Sequence, residues 1–234
     1  MARQFEKEVF FKAPVERVWQ ALTTPEQMSV WMGGNNVITF EPHVGGTVHI
    51  EGLFPGKVAV FEPPYRFGWK WDPDNGTEPV EETLTLTAAE GGTRLHLISI
   101  AHGRWADKPM YFGGVEAGWQ DWLEALQSLV HTGTASLYYG GGRLNAEVDA
   151  EETDGGFRIF IKKVIPGGAA DQAGIQEGDT LASWNGHRLD RPATFWSHAW
   201  RANPGDRVVL ELERSGHQLI HAELTLQAPA QKQA

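Results

Sequence analysis

Apolar and polar positions along the chain first suggest a strand at Phe5–Lys12, where the two types mix over a short run. Val15, Val18, Trp19 and Leu22 then recur at helical spacing behind Pro14, which a first helical turn accepts because the missing N–H costs nothing there. Thr23 and Thr24 break that stripe, and Pro25 starts a second short helix ending near Gly33-Gly34. Strand candidates follow at Val37–Glu41, Gly46–Gly52, Lys57–Glu62, Arg66–Trp71, Glu82–Thr87 and Thr93–Ile100. Turn-rich clusters such as Asp72-Pro73-Asp74-Asn75-Gly76 and Glu90-Gly91-Gly92 separate them, the spacing of an antiparallel meander. From Met110 to about Val130 the period returns to helical, with Val115, Trp119, Trp122, Leu126 and Leu129 on one heavily apolar face.

A sheet with one apolar face must be covered, and this helix is the only element of the first block long enough to do so. Residues 133–142, with Gly133 and the run Gly140-Gly141-Gly142, read as a linker. The second block carries strand candidates at Asn145–Glu151, Gly156–Val164, Thr180–Trp184, Arg207–Glu213 and Ala222–Leu226. Its helices are expected at Ala169–Ala173 and about Ala193–Ala202, the second stopped by Pro204-Gly205. The organisation is therefore a domain over 1–132, a linker over 133–142, a second domain over 143–228 and a polar tail over 229–234.

Charge removes some partners. The formal net charge is −10; residues 1–141 carry 10 basic against 17 acidic residues, and the remainder 10 against 13. Neither part offers the basic surface that nucleic acid or an anionic membrane needs. No stretch approaches the roughly 20 apolar residues of a membrane span. Cysteine is absent, which excludes disulfides, thiolate nucleophiles and zinc–cysteine sites. The N-terminus meets charge at once, and the chain reads as cytoplasmic.

Several fixed spacings coincide in the second block: Val164-Ile165-Pro166-Gly167-Gly168-Ala169-Ala170, Ala173-Gly174-Ile175, Glu177-Gly178-Asp179-Thr180-Leu181, Trp184-Asn185-Gly186 and Asn203-Pro204-Gly205-Asp206. Together they resemble the signature of PDZ domains, a partly open β-barrel with two helices. Gly174 suits a left-handed helix end and Asn185-Gly186 a hairpin turn, so these residues specify fold, not chemistry. The resemblance implies binding of a peptide C-terminus as an added strand, its carboxylate held by a loop of backbone N–H groups. That loop corresponds to Arg143-Leu144-Asn145-Ala146. Asn145 replaces the usual glycine, Ala146 replaces a larger apolar residue and enlarges the pocket, and Arg143 adds a charge for the carboxylate. Arg143, Leu144, Asn145, Ala146 and Val148, with Thr194 and His198 on the helix, are the expected groove residues. The alternatives are a groove filled by the chain's own segments, or one used to dock the two domains.

In the first block, Ala13-Pro14-Val15-Glu16-Arg17-Val18-Trp19, Pro25-Glu26 with Trp31, Gly45-Gly46-Thr47, Pro63-Pro64-Tyr65-Arg66-Phe67, Gly92-Thr93-Arg94-Leu95 and Gly118-Trp119 carry a second likeness. It is similar to the START-like (SRPBCC) superfamily, and within it to the family named for the activator of the 90-kDa heat-shock chaperone's ATPase. The implied fold class is α+β: a helix-grip antiparallel sheet around a long C-terminal helix, with an internal cavity for a hydrophobic small molecule. Seven of the ten tryptophans lie in this block. Trp31, Trp69, Trp71, Phe112 and Trp119 are the expected cavity lining, plain core being the competing role.

Catalytic signals are sparse. His49 and Glu51, two apart, share a strand face; on a concave face they are polar groups inside an apolar cavity, on a convex face solvated surface. No ligand spacing supports a metal, no cofactor is implied, and Gly113-Gly114 at the opening of the long helix reads as an anion site or a flexible lid. The expectation is a non-enzymatic two-module binding protein for a hydrophobic small molecule and a protein or peptide C-terminus. A cyclase- or hydratase-type enzyme using Glu51 and His49, and a co-chaperone or stress adaptor, remain the alternatives.

Overall fold

A computed structural model describes residues 2–32, 38–50, 55–71, 79–135, 139–215 and 218–228. The chain forms two compact units, Met1–Asp107 with Trp119–Leu137, and Lys108–Gly118 with Tyr138–Ala234.

The first unit is built on β1 (Ala2–Phe11), α1 (Val15–Thr23), α2 (Pro25–Trp31), β2 (Ile38–Phe40), β3 (Thr47–Ile50), β4 (Gly56–Glu62), β5 (Arg66–Trp71), β6 (Val80–Ala89), β7 (Gly92–His102), a short α3 (Arg104–Asp107) and the part of α4 (Pro109–Thr132) from Trp119 onward. The seven strands form one sheet in the order β1-β7-β6-β5-β4-β3-β2, antiparallel throughout. The long helix and wholly antiparallel sheet are the helix-grip arrangement. α1 buries Val15, Val18, Ala21 and Leu22, while Trp19 of the expected stripe is only partly buried. β6 alternates strictly: Val80, Glu82, Leu84 and Leu86 are buried, while Glu81, Thr83 and Thr85 are half-exposed. Side chains of one parity share one face of a strand, so a glutamate at an even position is carried inward with its apolar neighbours. The later turns of α4 are tied down by polar contacts: Arg17 Nη2 donates to the Leu129 carbonyl at 3.0 Å, and Gln127 Nε2 to that of Phe10 at 3.0 Å.

The second unit contains β8 (Ala146–Thr153), β9 (Gly156–Val164), α5 (Ala169–Gln172), β10 (Thr180–Trp184), β11 (His187–Arg188), α6 (Pro192–Arg201), β12 (Arg207–Arg214) and β13 (Gln218–Thr225), with Lys108–Gly118 from the start of α4. The sheet order is β13-β12-β10-β9-β8, and β11 pairs with β10. Reciprocal backbone bonds between Arg143 and Gln227 (2.8 and 3.1 Å) join the chain just before β8 to the chain just after β13, partly closing the barrel. Asn185 and Gly186 have φ of 50° and 79°, positive at both central positions as a two-residue type I′ hairpin requires.

Asp179 is buried and receives both Nε and Nη2 of Arg214 at 2.7 Å, with the Gln176 N–H at 2.8 Å. Burial alone raises its pKa, but these hydrogen bonds and the guanidinium charge outweigh it and hold the carboxyl below its ordinary value. The Glu177-Gly178-Asp179 motif thus pins the start of β10 to the end of β12.

Gly113, Gly114 and Gly118 sit within the first half of α4, where each is about 1 kcal/mol less favourable than alanine. Close packing inside the second unit explains the first: a Cβ on Gly113 would lie 2.4 Å from Pro192 Cβ and 2.8 Å from the Ala193 nitrogen. Gly113 is therefore a notch for α6, while a Cβ on Gly114 would meet nothing nearer than 3.7 Å.

Candidate functional site

In the first unit, Trp31, Trp69, Trp71 and Trp119 are all buried, and their rings form a connected cluster. Trp69 stacks on Trp119 at 5.7 Å with planes 24° apart, Trp71 meets Trp69 edge-on at 5.8 Å, and Trp31 lies 6.4 Å from Trp119. Trp122 joins edge-on to Trp119 at 5.3 Å, and Phe67 extends the cluster from Trp69 toward Phe40, Phe61 and Trp19. Phe112, expected beside these tryptophans, is buried in the first half of α4, which belongs to the second unit.

At the centre of this cluster is Glu82. One carboxylate oxygen accepts Trp71 Nε1 at 2.7 Å; the other accepts Trp119 Nε1 and, at 3.5 Å, the Ser99 hydroxyl. Glu82 and Ser99 face each other across β6 and β7 in register. Burial raises the Glu82 pKa to about 7, although the indoles of Trp119, Trp71 and Trp69 and the Ser99 hydroxyl pull it down. Trp69 acts through its N–H dipole, since this group makes no hydrogen bond among the described residues; the Trp122 N–H is likewise buried without a partner there. The result is a carboxyl able to hold or release a proton near neutrality inside an aromatic box.

Glu82 was not among the sequence candidates, and the signal for it is its parity with Leu84 and Leu86 once the strand begins at Val80. His49, by contrast, is exposed on β3 between inward-facing Val48 and Ile50, so it occupies the solvated face. Glu51 lies outside the described residues.

In the second unit, Arg143 is exposed, Leu144 is buried, and Ala146 and Val148 are partly buried against the apolar core. Asn145 adopts φ 58°, the left-handed region the family's glycine would occupy. Its carbonyl accepts the Ile165 N–H at 3.0 Å, and that of Leu144 accepts the Ala170 N–H at 2.9 Å, which fixes the loop on α5. Asn145→Ala should therefore destabilise the second unit by about 1 kcal/mol, the cost of a left-handed alanine, while Asn145→Gly changes stability by less than about 0.5 kcal/mol. Thermal unfolding of the two variants checks this; equal losses would show that the amide, not the backbone angle, matters. Among the described residues β8 is the last strand of its sheet and pairs only with β9, so its outer edge has no strand partner there.

α6 presents two different faces. His198 stacks against Trp184 (6.4 Å, 11°) and His187 (5.0 Å, 29°), and Thr194 lies one turn before it. His198, Arg201, Trp184, Asp206 and Arg207 line a cavity of about 340 Å³ beside β10 and β12. Burial, followed by the charges of His187 and Arg201, lowers the His198 pKa. Pro192, Trp196 and Trp200, one turn apart, form the other face, and it is this one that Gly113, Gly114 and Gly118 approach. The helix residues expected in the groove thus stand on the side of α6 turned toward the cavity.

A helix-grip domain followed by a PDZ domain defines a two-module chain of binding folds. The chain belongs to the family of activator of Hsp90 ATPase homolog 1-like proteins, which it matches over residues 12–131, and it matches the PDZ domain over 134–199. It is 46% identical over 54 residues to Protease RseP of Yersinia pestis, covering 23% of this chain and 12% of that protein. It is 32% identical over 94 residues to the periplasmic serine endoprotease DegP of Escherichia coli K12, covering 40% and 20%. The chain thus spans a fifth or less of the length of these two relatives. Among solved structures, CalU16 from Micromonospora echinospora aligns with 25% identity and a TM-score of 0.49, over 58% of this chain and 70% of that one. No helix among the described residues is long and apolar enough to cross a membrane.

Proposed function

We propose that the chain is a two-module adaptor whose PDZ domain captures a protein C-terminus and whose helix-grip domain holds a hydrophobic small molecule. The observation that carries the first half is the unpaired outer edge of β8 running directly from the left-handed Asn145 loop. Such an edge supplies backbone hydrogen bonds to an added strand, and the loop supplies N–H groups to a carboxylate. Titration of the full chain with fluorescein-labelled hexapeptides should give saturable binding that weakens about ten-fold or more when the C-terminus is amidated, since hydrogen bonds to a charged group are lost. Binding indifferent to amidation would remove this reading.

The second half is supported by the aromatic box with Glu82 at its centre. Aromatic surface with a few polar groups suits a ligand that is mostly hydrocarbon with one hydrogen-bonding end. Native mass spectrometry of freshly purified protein should show a co-purifying small molecule; protein that is consistently empty and takes up no hydrophobic probe would argue against a carrier. The absence of cysteine leaves the chain indifferent to the redox state of its compartment.

One observation favours a second reading. A buried carboxyl with a pKa of about 7 has the acid–base poise that a cyclase or hydratase needs. In that reading Glu82 is the acid–base group, in place of Glu51 and His49.

A further inference from the structure

The Pro192–Trp196–Trp200 face of α6 is covered by the chain itself. Trp196 Nε1 donates to the Met110 carbonyl at 2.8 Å, and Arg191 Nη2 grips both carboxylate oxygens of Glu116 at 2.9 and 3.1 Å. A Cβ added to Gly114 would lie 3.7 Å from the Trp196 indole, and one added to Gly118 3.8 Å from that of Trp200, so both backbones run close beside these rings. Met110 is 2% exposed and belongs to the same apolar cluster as Leu144 and Phe195, with Ala146, Val148 and Trp196 packed against that cluster. Leu144, Ala146 and Val148 come from the carboxylate loop and β8, Phe195 and Trp196 from α6. Those are the two walls between which a PDZ ligand's last side chain would enter.

We propose that Lys108–Gly118 is a built-in occupant of the PDZ ligand face, with Met110 standing in for the terminal side chain of a bound peptide, so that a C-terminal ligand enters only as this segment is released. The inference rests on the reading of the second unit as a C-terminus binder. It adds what controls that binding and which termini fit. Met110 is an unbranched, flexible apolar side chain, so peptides ending in Met or Leu should compete best. Gly113 follows from the same requirement, because a side chain there would strike Pro192 and hold the helix off α6. A site open for only a fraction of the time shows an affinity reduced by that fraction. Loosening the occupant should therefore tighten peptide binding without adding any contact to the peptide.

The test uses the full chain with labelled hexapeptides ending in free Met or Leu and their amidated counterparts. Met110→Asp should bind the free acids about ten-fold more tightly than the parent. Glu116→Arg, which sets like charges together at the segment's other end, should tighten binding about three-fold, and adding Arg191→Glu should restore the parental affinity. Saturating peptide should also accelerate hydrogen exchange of the parent's 108–118 amides. Equal binding by parent, Met110→Asp and Glu116→Arg, or exchange in 108–118 unmoved by peptide, would overturn the occlusion while leaving the peptide-binding reading intact. No binding by any variant, the released ones included, would overturn both.

Discussion

A Glu82→Gln chain should lose the pH dependence of stability that the parent shows between about pH 4.5 and 7. In the folded parent this carboxyl takes up its proton at about 7, against 4.5 for the ordinary glutamate of the unfolded chain. Between those values the native state holds more protons than the unfolded state, so its stability falls as pH rises and levels off above 7. The integrated difference is about 3 kcal/mol. Glutamine stays neutral at every pH and keeps an acceptor for one of the two indoles, so the variant should carry a uniform loss of about 1–2 kcal/mol but show no fall in stability between about pH 4.5 and 7. Urea unfolding followed by tryptophan fluorescence at several pH values measures this directly. Parallel stability curves for parent and variant would mean that Glu82 is already ionised across the range.

Trp119 should be the most costly single position in the first unit. It stacks on Trp69, meets Trp122 edge-on and donates to Glu82. Trp119→Ala removes these contacts and the one with Trp31, and should cost about 3–5 kcal/mol. Trp119→Phe keeps much of the ring but deletes the donor, and separates the two roles. Its loss should be smaller, about 1–3 kcal/mol. The pH at which stability levels off should also move above that of the parent, because one of the groups holding the Glu82 pKa down is gone. A Phe variant with reduced stability but an unmoved pH profile would show that the indole N–H has no influence on the carboxyl.

The order of elements and the nature of both units were legible because local chemistry and tertiary demand agree. Val15, Val18 and Leu22 make a helical stripe that is buried as such, and Asn185-Gly186 forms the turn its residues favour. Asn145 was recognisable as a glycine substitute because few other side chains tolerate its backbone angle. Glu82 was hidden by a boundary. With the strand started at Glu82, the residue looks like an exposed end; with Val80 included, the same alternation that buries Leu84 buries the glutamate too.

The orientation of α6 is ambiguous in the sequence for another reason. Pro192, Phe195, Trp196, Ala199 and Trp200 spread apolar surface around so much of its circumference that periodicity alone does not say which part faces a ligand. Only the neighbours decide, and they put His198 against Trp184 and His187, away from the glycine-notched segment. The glycines illustrate the same limit: a Gly pair in a helix is ambiguous until the atom a Cβ would strike is known.

The stacked indoles of Trp69 and Trp119 carry one last consequence, an optical one. Rings held this close share their excitation, so the pair absorbs as a coupled chromophore, and the 24° between their planes skews the coupled transitions, which should give a bisignate band in circular dichroism. That band arises only while both rings keep their relative orientation. The second unit holds a comparable pair, Trp196 and Trp200 at 5.3 Å and 32°, so the signature of the helix-grip unit is the part of the band that Trp119→Phe removes.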